Sequence, residues 1–543
     1  MPIVRLSCAL AAGGLLALLS HAQQQQTPAF KIAGHLVRHS DNRPIRGGHV
    51  FIAAAPRQDR QASVISGENG EFSFSGLPQG KYALRAEYRG SAQMYQQNEE
   101  FSTAIAVGPG LDSEHILFTL DSQATISGSV VDEDGEPVPS ASVHLFTQSM
   151  ARGRAQTELS GQTQTSAAGT FHFAHLRPGT YYVAVNGRPW YAQNGGPEAV
   201  VRPFDGRPQP ENPPEPAPRS ELDVAFPLTY YAGATTPDAA TPIKLEEGAK
   251  AEIQFALHAV PALHISLDGI EGQQQPDQQV QASLSQVGPG GVLIPVQQMI
   301  GSGGIGGVAP GNYVLTANLW AQNRQSNLGS QTVTLSGDST VHLNETVKTS
   351  VSGRVIIDGE LPPNLAIWMG NVPSSNATFA QVTKDGSFSL PQVQPGRYSF
   401  LLANSPELYM QSVAVKGSTY KNGEIEVSAG AQIDVTITAA RGLTKIDGVA
   451  VKEKKGLGGA LVLLIPQDLS RGKFIPRDQS DSDGTFTLYA VAPGRYTLVA
   501  IANGRGIAYA DPAVTAPYLA GGRVVDVPLS QDATVEVDVQ PRR

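Results

Sequence analysis

Asp483-Gly484-Thr485-Phe486-Thr487-Leu488, answered a few residues on by Pro493-Gly494-Arg495-Tyr496-Thr497-Leu498, carries the argument for the fold of this chain. Phe486 and Leu488 alternate with polar residues before the Pro-Gly, and Tyr496, Leu498 and Ala500 alternate after it. A period of two puts alternate side chains on one face, the pattern of a half-buried strand. Asp-Gly ahead of the first run suits a turn that needs positive φ, and Pro-Gly reverses the chain between the runs. The phrase therefore predicts two strands around a tight reversal. Tyr496 stands just past the corner, where its hydroxyl can pin the bend as a tyrosine corner does.

The phrase recurs. Glu68-Asn69-Gly70-Glu71-Phe72 leads to Gly80-Lys81-Tyr82, Ala168-Gly169-Thr170-Phe171 to Gly179-Thr180-Tyr181, and Asp385-Gly386-Ser387-Phe388 to Gly396-Arg397-Tyr398. In all four copies the first Gly and the Tyr are twelve residues apart. A fifth, worn copy ends in Val308-Ala309-Pro310-Gly311-Asn312-Tyr313, with the glycine-rich Gly301–Gly307 where the Phe strand belongs. A repeat of roughly a hundred residues predicts an array of similar small domains.

Each full copy is preceded by a strand with a glycine in its middle, as in Ile32-Ala33-Gly34-His35-Leu36, Ile126-Ser127-Gly128-Ser129-Val130, Val351-Ser352-Gly353-Arg354-Val355 and Ile446-Asp447-Gly448-Val449-Ala450. A polar turn and a second apolar strand follow, and a β-rich run closes each unit. About seven short strands per unit predict an all-β chain, a tandem array of about five antiparallel Greek-key β-sandwiches. The boundaries are a signal peptide at 1–22, a linker at 23–29, and sandwiches at 30–120, 121–258, 259–347 (divergent), 348–439 and 440–543. Short connections between closing and opening strands predict a semi-rigid string of beads. Within the second unit the pattern stops at about 186–226, where Pro203, Pro208, Pro210, Pro213, Pro214, Pro216 and Pro218 crowd one stretch; this reads as an extended surface insertion or a binding loop.

The first 22 residues read as a cleaved secretory signal: Arg5, an apolar run from Leu6 to Leu19, then Ser20-His21-Ala22. Removal leaves 521 residues, too many for one core and about 104 for each of five units. The single cysteine, Cys8, lies inside that signal, at the start of its apolar run rather than after it, so the mature chain is expected to have no disulfide, thiolate metal site or cysteine nucleophile. Secretion without cysteine suits a bacterial envelope, with the protein periplasmic, on the outer surface or extracellular. No later stretch is apolar enough to span a bilayer as a helix. The net charge is −9 and the densest basic cluster, Lys452-Glu453-Lys454-Lys455, is broken by an acid, which argues against nucleic acid as a partner.

The Gly-x-Phe … Pro-Gly-x-Tyr phrase, with its upstream Ile-x-Gly-x-Val strand and turn proline, resembles the carboxypeptidase regulatory-like domain. That resemblance covers most of 30–185 and 348–543 and is poor over 260–347. It implies a transthyretin-like (prealbumin-like) seven-stranded sandwich, grouped with carbohydrate-binding-like folds. Tyr230-Tyr231-Ala232-Gly233 … Thr241-Pro242-Ile243-Lys244-Leu245 resembles a segment common in secreted bacterial members. The motif residues are turn and core residues and carry no activity.

The catalytic parts are incomplete. His342-Leu343-Asn344-Glu345 has the first spacing of a zinc carboxypeptidase site, but no His follows position 342, and on a strand i and i+3 face opposite sides. His172 and His175 share that spacing and flank a core residue, Phe173. Ser418-Thr419-Tyr420-Lys421 matches Ser-x-x-Lys without the accompanying motifs. Asp132-Glu133-Asp134-Gly135 and Asp481-Ser482-Asp483-Gly484 resemble pieces of calcium loops but sit where hairpins need turns. Gly301–Gly307 lacks the Lys-Ser/Thr of a phosphate loop. The expectation is therefore no catalytic residue, no metal and no cofactor.

Sugar-binding faces use aromatic rings as flat platforms. Trp190 and Tyr191 stand at the entry to the proline-rich stretch and Tyr230 and Tyr231 at its exit; Trp320 and Trp368 fall out of phase with the core residues of their strands. These six are the candidate ligand-binding residues. The sequence reads as a secreted, non-enzymatic binding or scaffold protein of the bacterial envelope, with carbohydrate or another envelope protein as partner. The alternatives are an accessory component of an outer-membrane transporter or peptidase system, and a hydrolase acting through an acid such as Glu198 or Asp205.

Overall fold

A computed structural model describes residues 29–543 apart from 56–60, 194–219, 269–277, 301–303, 322–323, 343–348, 373–376, 392, 394–395, 422, 429, 468–474 and 530. The signal segment, Leu343–Glu345, Glu198, Asp205 and the proline cluster from Pro203 to Pro218 lie outside the described residues.

The chain is a tandem series of β-sandwiches. In the first, Glu71–Leu77, Phe30–Arg38 and Ile116–Leu120 form one sheet, and Gln61–Ile65, His49–Ala54, Gly80–Tyr88 and Ser91–Met94 form the other, with Ile105–Val107 beside Gly80–Tyr88. Between them lie Ile32, Leu36, Phe72, Phe74, Leu84 and Phe118, the alternating residues of the repeated phrase and its partner strands. The same two-sheet arrangement recurs in the next three units, and in the fifth the two faces are joined into one eight-stranded sheet where Gly494–Ile501 pairs with Ala533–Gln540. One departure from an all-antiparallel plan is systematic: the closing strand runs parallel to the opening strand. Gly34 pairs with Ile116, Ile126 with Ala251, Ile265 with Ser339, Val351 with Ile433 and Gly448 with Val535, all in parallel.

The opening-strand glycine and the phrase Phe explain each other. Gly34 faces Phe72, Gly128 faces Phe171, Gly353 faces Phe388 and Gly448 faces Phe486 across the sheet. A Cβ on Gly34, Gly128 or Gly353 would lie 2.0, 2.3 or 1.9 Å from the carbonyl oxygen of Ile116, Ile253 or Val435 on the parallel closing strand. Glycine thus admits a carbonyl on one side and an aromatic ring on the other. The divergent third unit lacks both members of the pair: its opening strand Leu263–Asp268 has no glycine and meets Ile305 instead of a Phe.

The tyrosine corner is present in every copy whose partner residue is described. Tyr82, Tyr181, Tyr313 and Tyr496 each donate a hydroxyl hydrogen bond to the carbonyl four residues earlier, on Pro78, Arg177, Ala309 and Ala492, at 2.9, 2.8, 2.6 and 2.8 Å. The worn third copy has lost its Phe but kept this bond, and burial pushes the Tyr313 phenol up to about 12.

The chain is not a string of beads. The first sandwich docks on the fifth through the turn that opens the fourth full phrase. Asp481 accepts from Lys81 Nζ at 2.5 Å and from the Ala104 amide at 3.0 Å. The Ser482 amide donates to the Ala104 carbonyl at 2.9 Å, and the Ala106 amide to Ser482 Oγ at 2.8 Å. The turn thereby covers the open edge of strand Ile105–Val107, whose other side pairs with Gly80–Tyr88. Beside it Arg477, its side chain 8% exposed, pairs with Glu100 and lies over Phe101 and Tyr509 at 5.4 and 5.7 Å. A second clasp joins units two and four, where Arg154 and Arg397 both bind Glu424.

The Asp478 carboxyl sits beside the first clasp, and burial raises it from 3.8 to about 6. A raised carboxyl favours the folded state while protonated. Its stabilisation is complete below 3.8 and is lost as pH rises through about 6. The fifth sandwich should therefore gain stability between neutral pH and about pH 4, and Asp478→Asn should flatten that dependence in urea unfolding followed across pH. An unchanged slope would show that Asp478 titrates normally.

Candidate ligand-binding cleft

Strand Gly179–Asn186 ends at Arg188-Pro189, and the chain turns at once. The Ala192 amide bonds to the Pro189 carbonyl at 3.1 Å, so Trp190 and Tyr191 occupy the middle of a β-turn. Beyond it the Gln193 amide reaches the Leu222 carbonyl at 2.8 Å, tying the entry of the insertion to its exit. Trp190 is 79% exposed. Its ring meets Tyr191 edge-on, with centroids 5.8 Å apart at 88°.

Beneath this turn are two adjoining hollows that share Arg188, Pro189 and Phe226. One, of about 310 Å³, also takes Asp132, Val138, Pro139 and Trp190 as walls. The other, of about 170 Å³, reaches between the second and third sandwiches to Asn186, Val296 and Tyr313. Asn186 Nδ2 donates across that boundary to the Val296 carbonyl at 3.2 Å. Trp190 and Arg188 are exposed, while Phe226 is buried. The site is an apolar-floored cleft with a flat ring at its mouth and a guanidinium beside it.

An acidic rim flanks the ring. The Tyr191 hydroxyl donates to Glu133. Desolvation first, then the Glu133 hydrogen bond and the charges of Glu133, Asp132 and Asp134, push the Tyr191 phenol up to about 12. The Asp132 carboxylate is occupied by its own turn, accepting from the Asp134 and Glu136 amides at 3.1 and 2.9 Å. Among the described residues no group of three or more His, Asp or Glu side chains could hold a metal ion.

The candidate aromatics separate. Trp190 lines the cleft, and Tyr191 stands beside it, edge-on to the indole. Tyr230, expected as a surface ring, is 1% exposed; it pairs as a strand with Ala184 and is packed among Phe146, Leu228 and Ile294, so it cannot serve as a platform. Tyr231 is half-buried against Phe255 at 6.1 Å. Trp368 is half-buried and its ring covers Gly370. Trp320 pairs through its backbone with Gln279 and Gln325, and its side chain lies outside the described residues. Sequence reasoning did not find Asp132 and Phe226 as cleft walls. They lie tens of residues from Trp190 in sequence, and nothing local to either marks the proximity.

Residues 31–120 and 125–203, under a third of the chain, match the model of the carboxypeptidase regulatory-like domain family in two successive stretches. No curated protein matches it. Among solved structures it is similar to the TIE protein of Bacillus anthracis, with 9% identity, 95% of this chain and 75% of that chain covered, and a TM-score of 0.18. It is also similar to GBS52, the minor pilin of Streptococcus agalactiae, with 12% identity, 42% and 96% covered, and a TM-score of 0.21. The shaft pilin SpaA of Lactobacillus rhamnosus GG gives 8% identity, 43% and 98% covered, and a TM-score of 0.20. At such scores these likenesses carry no argument about function.

Proposed function

We propose that this chain, which matches the carboxypeptidase regulatory-like domain family in two successive stretches, is a secreted, non-enzymatic binding and scaffold protein of the bacterial envelope whose Trp190 cleft takes a carbohydrate. The observation behind this reading is a tryptophan ring 79% exposed, fixed on a proline-anchored turn at the mouth of a hollow. A sugar ring offers an apolar C–H face that stacks on indole, and equatorial hydroxyls that seek donors and acceptors at the rim. Arg188 and the acidic turn at Asp132–Asp134 supply both kinds.

The test is a glycan array probed with the mature chain, followed by titration of any captured sugar. Trp190→Ala should weaken that binding about tenfold, the equivalent of one stacked ring. Its exposure means that the melting temperature should not move. A blank array together with measurable hydrolase activity would overturn the reading.

A further inference from the structure

A second system of hollows lies at the opposite end of strand Gly179–Asn186, where the second sandwich meets the first. A pocket of about 200 Å³ with Asp121, Gln123, His175 and Arg177 in its walls opens into a groove of about 550 Å³ walled by His49, Arg85, Glu87, Tyr88 and Arg89. The two share Gly90, Ser91 and Ala92. The His175 ring rests on Gly90, 3.1 Å from where a Cβ would be, and Arg177 donates to the Ala92 carbonyl at 3.3 Å.

The charge balance of this groove is the reverse of the protein's. Arg85 is paired with Glu87, Asp121 is held by Arg505 at 3.4 Å, and the nearby Glu247 accepts from the Ser122 amide at 2.7 Å. Arg89 lies over the Tyr88 ring at 5.2 Å, and among the described residues neither it nor Arg177 has a carboxylate partner. One guanidinium without a carboxylate partner thus stands in each of two joined hollows, Arg177 in the smaller and Arg89 in the larger, in a chain of net charge −9.

Turn geometry sets where these side chains leave the backbone, as it does at Arg152-Gly153 and at Ala490, which have the same left-handed conformations. Arg89 and Gly90 form the two-residue loop between paired Tyr88 and Ser91, with φ of 48° and 84°. Asn-Gly is the unstrained choice for such a loop. His175 has φ of 60° at the position where the first sandwich has Gly76 at 74°. Left-handed backbone disfavours both side chains.

We propose that this groove binds an acidic polysaccharide, a hydroxyl-rich glycan carrying uronate carboxylates. Arg89 and Arg177 take carboxylates through charge-assisted hydrogen bonds. The side-chain amide nitrogens of Gln93 and Gln123, whose oxygens are held by the Asp121 amide and by His175, meet hydroxyls. The site is separate from the Trp190 cleft and stands whether or not that cleft binds a sugar.

Titration of the full chain with an oligogalacturonate should give saturable binding that weakens with salt, and a neutral maltooligosaccharide of the same length should give none. Arg89→Gly combined with Arg177→Gln should weaken binding roughly tenfold, the loss of two charge-assisted contacts. Trp190→Ala should leave it intact. Glycine suits the Arg89 turn, so an unchanged melting temperature separates a lost contact from a lost fold. Unchanged affinity in the double variant would overturn the proposal. So would single-stranded DNA competing as well as the oligogalacturonate, since the groove would then be a general anion attractor.

Discussion

Gly353→Ala should destabilise the fourth sandwich by about 3 kcal/mol, the upper end of what overpacking costs. The added methyl group would lie 1.9 Å from the Val435 carbonyl oxygen and 3.0 Å from the Phe388 ring. Neither neighbour can yield cheaply. The carbonyl belongs to a strand paired in parallel with Ser350–Ile357 over its whole length, and the ring is 4% exposed in the core. Separating the strands would break buried backbone hydrogen bonds, and moving the ring would open a void. Hydrogen exchange on the full chain provides a local readout: protection should fall across Ser350–Ile357 and Gln432–Arg441 and persist in the first sandwich. Intact protection in both strands would show that the glycine is dispensable.

Asp481→Ala should release the first sandwich from the fifth, at a cost of about 2 kcal/mol. The carboxylate, 19% exposed, bridges Lys81 and the Ala104 amide; its loss strands the backbone N–H, while Lys81, 38% exposed, keeps its bond to Thr485 Oγ1 at 2.6 Å. The remaining contacts of the clasp include Gln479 Nε2 to the Gln96 carbonyl and to Thr103 Oγ1, at 2.7 and 2.8 Å. They depend on the same turn geometry. Small-angle scattering should show a larger radius of gyration, and amides at 103–107 should exchange faster as the edge of Ile105–Val107 meets water. An unchanged radius would mean that the contacts outside the turn, Arg477 between Phe101 and Tyr509 and Arg505 on Asp121, hold the units together without it.

Much of the fold was legible because the forces that make it are periodic. Phe486, Leu488, Tyr496 and Leu498 announce their strands by parity, and they are buried in the core as that parity requires. The mid-strand glycines were visible as a pattern, but their reason was not: a carbonyl from a strand some eighty to a hundred and twenty-five residues later is invisible in Ile-x-Gly-x-Val. The docking of the units was illegible for a related reason. Asp481 and Ser482 look like ordinary turn residues, and nothing local distinguishes a turn that faces water from one that caps a neighbour's sheet edge. Tyr230 shows the limit for surface residues. Its neighbours Leu228 and Tyr231 give no period, and what buries it is a hairpin carrying Ile294 from the next unit. Trp190 was legible because Pro189 and the abrupt end of alternation mark a turn, and large rings on turns have few places to hide.

The parallel pairing of opening and closing strands has a mechanical consequence. The chain enters each sandwich at one pole and leaves it at the other, with both strands side by side. A pull on the two ends would therefore slide the strands past one another and load their hydrogen bonds together, in shear, where an antiparallel pair would unzip one bond at a time. Each sandwich is built as a tension-bearing link.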